Sequence, residues 1–423
     1  MEEIHEAIKL MEQDKTEEAI DALESHLPLA TEEEKFTIAE LYMQWGMLQE
    51  AKGILIELSE AYPNESELKI MLADIYIDLQ EDEEAINILN RFTPQDEDFL
   101  GALVQLADLY QTQGLFEVAE QKLLEAKNID PIEPLIDFAL GELAFSNGEY
   151  QKSIPYFEKV YNIQQIMADV EIGVRLAEAY AATGEFEKSI EYYQSSLSED
   201  ADHLFRYGFI AFRADRLDIS IKVWEQLIEK DPEYQSVYLY LAQAYETEGL
   251  INEAYETSKK GVEVDELNKD LFHYAGILAN RLGHQSESYQ LVRQAIAIDP
   301  GFKEATMFLV ENYKKLDDQE AIIDLLNHVI DLGETDANYK WELAKAYNET
   351  ESYKDALNNY NDAYNNLKDD SDFLKEYGYF LVEEGRLSDA IGVFSRYLSI
   401  DSTDTEIEEY LDRLKQSSEN NQK

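Results

Sequence analysis

LGALVQLADLYQTQGLFEVAEQKLLEAKNIDPIE, residues 100–133, holds two helices and the turn between them. Its first half places Leu103, Leu106, Ala107 and Tyr110 at three- and four-residue steps, which is one face of a helix. Gly114 closes that helix, because the left-handed backbone of a helix C-terminus costs glycine nothing. A second helix is expected from about Phe116 to Ile129, with Ala119, Leu123 and Ala126 on its packed face. Asp130-Pro131 ends it, since the residue before proline avoids the helical region. Ala107 and Ala119 are small where two antiparallel helices joined by a short turn cross closely. A larger side chain there would overpack the crossing, at a cost of about 1–3 kcal/mol.

Working outward, the small residue at Ala119 recurs along the whole chain. Ala19, Ala51, Ala85, Ala119, Ser153, Ser189, Ser220, Ala254, Ser288, Ala321, Ala356 and Ala390 are spaced by 32, 34, 34, 34, 36, 31, 34, 34, 33, 35 and 34 residues. A period near 34 is the mark of stacked helix pairs. Length alone would suggest about three domains, but stacked pairs share a core that grows with length. The 36-then-31 pair of spacings is the one metrical irregularity, and it predicts a kink or soft junction near residue 200.

These features resemble the tetratricopeptide repeat family, over essentially the whole chain. The family's small first-helix position is filled by Ala7, Ala39, Ala73, Ala107, Gly141, Ala177, Gly208, Ala242, Gly276, Ala344 and Gly378. Its tyrosine three residues later is Tyr42, Tyr76, Tyr110, Tyr180, Tyr245, Tyr313 and Tyr347, a set expected to serve the core. Its turn glycine is Gly46, Gly114, Gly148, Gly184, Gly249, Gly283 and Gly385, and its terminal proline is Pro63, Pro131, Pro232 and Pro300. The stretch 303–336 departs, with Val310 at the small position and Asp317-Asp318-Gln319 as a shortened turn.

The resemblance implies an all-α fold, a right-handed α-solenoid superhelix of about twelve helix-turn-helix units. Residues 1–200 would form an N-terminal segment of about six repeats and residues 201–404 a second segment of about six. A capping helix over Thr405–Gln416 and a frayed SSENNQK tail would complete residues 405–423.

Formal net charge is −55, from 35 basic and 90 acidic residues. Residues 1–200 carry 12 basic and 45 acidic residues, a net of −33, and the remainder a net of −22. Such a surface repels phosphate backbones and anionic lipid, which argues against direct nucleic-acid or membrane binding and favours basic protein partners. The chain has no cysteine, so no disulfide, thiol nucleophile or sulfur-held zinc is expected. The opening MEEIHEAIKLMEQDK is acidic and amphipathic, unlike a secretory signal, and no apolar run nears the ~18–20 residues of a membrane span. A cytoplasmic protein is expected.

Motifs for chemistry are missing. His5, His26, His203, His273, His284 and His328 nowhere fall three or four residues apart, and no glycine precedes a lysine as in a Walker loop. No Gly-x-Ser-x-Gly elbow occurs. Neither enzymatic activity nor a cofactor nor a metal is expected.

In the resembled family the first helices line a groove, into which positions 5, 9 and 12 of each unit point. Position 9 of the second to sixth units is Glu40, Asp74, Asp108, Glu142 and Glu178, a run of five carboxylates. Position 5 is Phe36, Ile70, Val104, Phe138 and Val174, and position 12 is Met43, Ile77, Gln111, Phe145 and Ala181. An acidic ladder between two mostly apolar rails is therefore expected. Charges on neighbouring helices about 8–10 Å apart would repel weakly until a cationic ligand relieved them. The seventh unit places Phe205, Phe209 and Phe212 on one helix face, a candidate anchor. Some relatives grip a chaperone's C-terminal carboxylate with paired Lys, Asn and Arg, and Lys345 with Asn348 is a poor fragment of that arrangement.

The preferred reading is a non-enzymatic scaffold whose groove binds a basic, partly apolar segment of a partner protein. Charge alone points toward RNA polymerase or ribosome-associated proteins. One alternative is a regulator that sequesters or modulates a signalling enzyme or response regulator. Relatives that hydrolyse phosphate carry an extra N-terminal bundle, whereas here the repeat pattern begins by about Ala7. A second alternative is an assembly factor for envelope components, a class usually marked by a membrane anchor or a cysteine module.

Overall fold

Apolar residues at helical spacing, punctuated every 10–15 residues by turns, give helices almost throughout. The computed structural model describes residues 1–196 and 198–420, which divide into two compact units, Met1–Glu199 and Asp200–Lys423. The first unit begins with α1 (Glu2–Glu12) and α2 (Thr16–His26), then α3 (Glu32–Gln44) and α4 (Leu48–Ala61). Next come α5 (Ser66–Asp78) and α6 (Asp82–Leu89), then α7 (Phe99–Thr112) and α8 (Phe116–Ile129). It ends with α9 (Pro134–Ser146) and α10 (Tyr150–Tyr161), strands β1 (Ile166–Met167) and β2 (Val170–Glu171), then α11 (Ile172–Ala182) and α12 (Phe186–Ser195).

The second unit repeats the plan. It holds α13 (Ala201–Arg213) with α14 (Leu217–Lys230), α15 (Val237–Thr247) with α16 (Ile251–Val264), and α17 (Lys269–Arg281) with α18 (Gln285–Ile298). It continues with α19 (Lys303–Lys315) and α20 (Gln319–Asp331), α21 (Ala337–Glu349) and α22 (Tyr353–Leu367), α23 (Ser371–Glu383) and α24 (Leu387–Ile400). A single helix, α25 (Thr405–Asn420), closes it. Each unit is an all-α repeat solenoid. Among the described residues no helix is long and apolar enough to cross a membrane.

The recurring small residues do what close crossing demands. Eleven of the twelve are wholly buried at 0 % exposure, from Ala19 to Ala390. Where the first-helix position is glycine instead of alanine, the partner sixteen residues on explains it. A Cβ on Gly208 would sit 2.4 Å from Trp224, and one on Gly141 or Gly378 would sit 2.6 Å from Phe157 or Phe394. Leucine occupies that partner position opposite Ala39, Ala73 and Ala107, and there alanine fits. Size is matched pair by pair, as close packing requires.

The exception lies in the departing repeat. Val310 is fully buried there, Ala321 is only half-buried, and Ile322 takes the buried place beside it. The larger Val310 is met by a shifted second helix, and the helix pair forms nonetheless. Its turn holds Asp317 at φ 57°, the left-handed conformation that Gly114 adopts at φ 74° in its own repeat. Asp14, Gln80, Asp215 and Glu351 do the same elsewhere, each without glycine's freedom.

Four of the seven repeated tyrosines, Tyr180, Tyr245, Tyr313 and Tyr347, hydrogen-bond to the second helix of the preceding repeat. Tyr180 donates its hydroxyl to Glu158 on α10 at 2.6 Å, and Tyr245 donates to Glu225 on α14 at 2.6 Å. Burial first, then those carboxylates, raises both phenols well above the ordinary range.

The two irregular spacings have structural causes, and the expected tail needs correction. The 36-residue spacing holds an inserted β-hairpin, with Ile166 facing Glu171 and Met167 facing Val170, and the boundary between the two compact units falls at Glu199/Asp200, near the expected junction. The following 31-residue spacing accompanies a short second helix, α12, of 10 residues. The final helix runs on through Ser417–Asn420 instead of fraying after Gln416, and Ile407, Leu411 and Leu414 bury its inner face. Residues 421–423 of the expected tail lie outside the described residues.

Candidate partner-binding cleft

Each first helix of the first unit presents its ninth position toward the sixth position of the next first helix. Two hydrogen-bonded contacts establish that register. Gln105 on α7 donates its Nε2 to Asp74 Oδ1 on α5 at 2.8 Å. Arg175 on α11 donates Nε to Glu142 Oε1 on α9 at 2.8 Å and Nη2 to Glu142 Oε2 at 3.3 Å. Its remaining arm reaches Glu178 Oε2 at 3.2 Å, and its guanidinium stacks 5.1 Å from the Phe145 ring centre.

The acidic ladder is therefore not five equivalent free charges. Burial lowers the Arg175 pKa, but the Glu142 and Glu178 contacts outweigh this and leave it above its ordinary value. Burial raises the Asp74 carboxyl, the Gln105 bond pulls it back and Asp78 pushes it further up, so it ends above the ordinary range. Glu40 and Asp108 are exposed, and among the described residues neither makes an ion pair. At the sixth position facing them the next helix offers Met71 and Ala139, which cannot serve as counterions. Mutual repulsion along an empty ladder is the wrong picture, because Arg175 neutralises two rungs from within.

The apolar rails are also partly spent on the core. Phe36, Ile70, Val104 and Val174 are half-buried, and Phe138 is buried against Phe157. What remains accessible gathers in one place. Val104, Asp108, Phe138 and Glu142, with Ile77 and Gln111 from position 12, line a cleft of about 490 Å3. That volume lies within the ~300–1,000 Å3 typical of ligand clefts. Phe36, Glu40, Ile70, Asp74 and Glu178 are not part of its lining.

The hairpin supplies the far wall. Ala168 and Val170 line the same cleft, and the two-residue turn Ala168-Asp169 has φ 47° and 61°. Positive φ at both central residues is the turn geometry that matches strand twist, normally built with Asn-Gly. Without a glycine the turn left no signal in the sequence. Arg175 and Ala139 were visible there, but only the helix register shows that they face the ladder.

In the second unit Phe205, Phe209 and Phe212 are half-buried and engaged with neighbouring rings. Phe205 lies 5.3 Å from Tyr234, Phe209 lies 5.4 Å from Tyr240 and Phe212 lies 5.8 Å from Trp224. Trp224 Nε1 also donates to the Phe205 carbonyl at 3.2 Å. The three rings pack against an aromatic core cluster and keep part of their surface exposed. Lys345 faces Glu342 at 3.1 Å and Glu376 at 3.6 Å, and sits 3.9 Å above the Trp341 ring centre. It is held inside the protein's own ion network.

Comparison with known proteins agrees with this repeat architecture. Models described as "YpiA-like, C-terminal tetratricopeptide repeats" and "YpiA-like, tetratricopeptide repeats" match residues 338–404 and 111–165, and a general tetratricopeptide repeat model matches residues 174–204. The chain is 41% identical over 413 residues to the TPR repeat-containing protein YpiA of Bacillus subtilis (strain 168), covering 97% of this chain and 98% of that protein. Among solved structures, the C-terminal part of a TPR repeat-containing protein from Cytophaga hutchinsonii is 15% identical, at a TM-score of 0.48, covering 55% of this chain and 96% of that one. YrrB, described as "a TPR protein with an unusual peptide-binding site", is 14% identical at a TM-score of 0.38, covering 43% of this chain and 95% of that one.

Proposed function

The chain belongs to the tetratricopeptide repeat family, whose members generally mediate protein–protein interactions, and from that premise we propose that it is a non-enzymatic scaffold binding a basic, partly apolar segment of a partner protein. The single observation carrying this reading is Asp108, an exposed carboxylate without an ion-pair partner among the described residues, at the rim of an apolar-walled cleft in the first unit. Val104, Leu135 and Val170 supply surface for contact, at roughly 25 cal/mol for each Å2 of apolar area covered. Charge adds little affinity at an exposed pair, about 0–1 kcal/mol, but steers encounter and selects among partners. Partners with basic surfaces, such as proteins of the transcription or translation machinery in the cytoplasm, have the complementary chemistry.

The test compares partner capture by the wild-type chain, by Glu40→Gln/Asp108→Asn and by Glu142→Gln/Glu178→Gln, at low and moderate salt. A basic protein bound by the wild type should be lost from the first variant and retained by the second, with binding weakened by salt. Equal capture by all three would remove Asp108 and Glu40 from the function.

A further inference from the structure

We propose that the Asp108 rung is a socket for a partner's arginine, whose guanidinium fills the position that Ala139 leaves vacant. The inference rests on the groove reading above and adds the residue that is recognised. Four successive rungs of the first unit share one geometry, with a carboxylate at position 9 of a first helix facing position 6 of the next. The chain fills two of those rungs itself, with Gln105 on Asp74 and Arg175 on Glu142. Glu40 faces Met71, a half-buried side chain that occupies the space without offering a hydrogen bond. Only at Asp108 does a small residue, Ala139, leave both the carboxylate and an open cleft.

The neighbouring rung shows what fits. Arg175 forks on Glu142 and lays its plane near an aromatic ring, so this helix spacing accepts a guanidinium without further adjustment. A second acceptor lines the vacant rung. Gln105 Oε1 is buried without a hydrogen-bond partner among the described residues, and its side chain forms part of the cleft lining. An unpaired buried oxygen is costly, and a donor from the ligand would relieve it. A planar guanidinium can serve Asp108 and Gln105 together with its several N–H groups. It is also more weakly hydrated than an ammonium, which suits walls of Val104, Phe138 and Val170. Arginine is therefore favoured over lysine.

The test selects random heptapeptides displayed on phage against the full-length protein, then against Asp108→Asn and Ala139→Arg. The second variant supplies the guanidinium from within, as Arg175 does one rung on. Circular dichroism confirms that both variants remain folded. The wild type should enrich arginine at one fixed position, about fivefold over lysine, between apolar residues. A selected peptide should bind each variant at least about tenfold more weakly, by fluorescence anisotropy. If basic, apolar peptides are enriched but bind both variants within twofold of wild type, the socket is wrong while the groove reading stands. Equal enrichment of lysine would overturn the guanidinium assignment. If no basic peptides are enriched, the groove reading fails and the socket with it.

Discussion

The two units use the same lattice of first helices and fill it differently. In the last three repeats of the second unit the facing positions 9 and 6 are Glu311 with Glu342 and Lys345 with Glu376, and lysines close these rungs. Lys314 contacts Glu311 and Glu342, each at 2.8 Å, and Lys345 contacts Glu342 at 3.1 Å and Glu376 at 3.6 Å. Among the described residues of the first unit's row, Arg175 alone is seen to play that part, and Asp108 is left to solvent. Both segments are strongly acidic, so net charge does not separate them. What separates them is whether the residue one helix away can answer a carboxylate. Local pairing, more than total charge, decides where a cationic partner has something to gain.

Breaking the second unit's chain should have the largest effect. Glu342 is 7 % exposed, and Lys314→Met/Lys345→Met would leave its carboxylate without a cation. Removing the partners of a buried charge costs about 3–5 kcal/mol, and about 2–4 kcal/mol is expected here because both lysines are partly solvated. Urea unfolding would measure it, and adding Glu342→Gln should restore most of the loss. A change below about 0.5 kcal/mol would mean that the row is loose and the contrast between units is superficial.

Helix packing sharpens the contrast next. Gly208 lies under Trp224, so Gly208→Ala should cost about 1–3 kcal/mol by overpacking. In the first unit Gly101 on α7 has open space around it, and Gly101→Ala should stabilise by up to about 1 kcal/mol through helix propensity. Thermal melts of the two variants should move in opposite directions. The same direction for both would refute the size matching of Gly208 to Trp224.

Much of this was legible in the sequence, and the rest was hidden for identifiable reasons. The period and the small residues fixed the helix pairs, and α8 spans Phe116–Ile129 as its turn signals implied. The hairpin went unseen because Ala168-Asp169 replaces the usual Asn-Gly, leaving only an unexplained spacing of 36. The carboxylate row was legible, but its pairing was not. Asp74 and Gln105 lie 31 residues apart and Glu142 and Arg175 lie 33 apart, so contact depends on how consecutive first helices align. Phe205, Phe209 and Phe212 share a helix face as expected, but Tyr234 and Tyr240 from the next repeat cover two of them.

Arg175→Met would turn an occupied rung into an open one. Glu142 and Glu178 have side chains 27% and 17% exposed, so losing their cation should cost only about 1 kcal/mol in urea unfolding. The same change should strengthen binding of an arginine nonapeptide by about two- to fivefold, because the Glu142 carboxylate, which lines the cleft, loses its internal cation. Weaker peptide binding would show that Arg175 shapes the cleft instead of competing for its charge.

The smallest effect concerns the rung that glutamine closes. Burial, partly opposed by the Gln105 hydrogen bond and reinforced by Asp78, holds the Asp74 carboxyl above the ordinary carboxylate range. Its folded pKa thus exceeds its unfolded value, near 3.9 for a free aspartate. The stability linked to this site is complete below that value and is lost as pH rises through the folded pKa. At neutral pH the ionised Asp74 works slightly against the fold. Asp74→Asn keeps an oxygen for Gln105 Nε2 and removes the charge, so it should stabilise the protein by a few tenths of a kcal/mol at pH 7, a small figure because the site is half-solvated. The gain should vanish near pH 3.5, where wild-type Asp74 is itself protonated. A loss at pH 7 would mean that the charged hydrogen bond to Gln105 outweighs desolvation. The first unit would then close this rung as firmly as the second closes its own, leaving the vacancy at Asp108 as the difference between them.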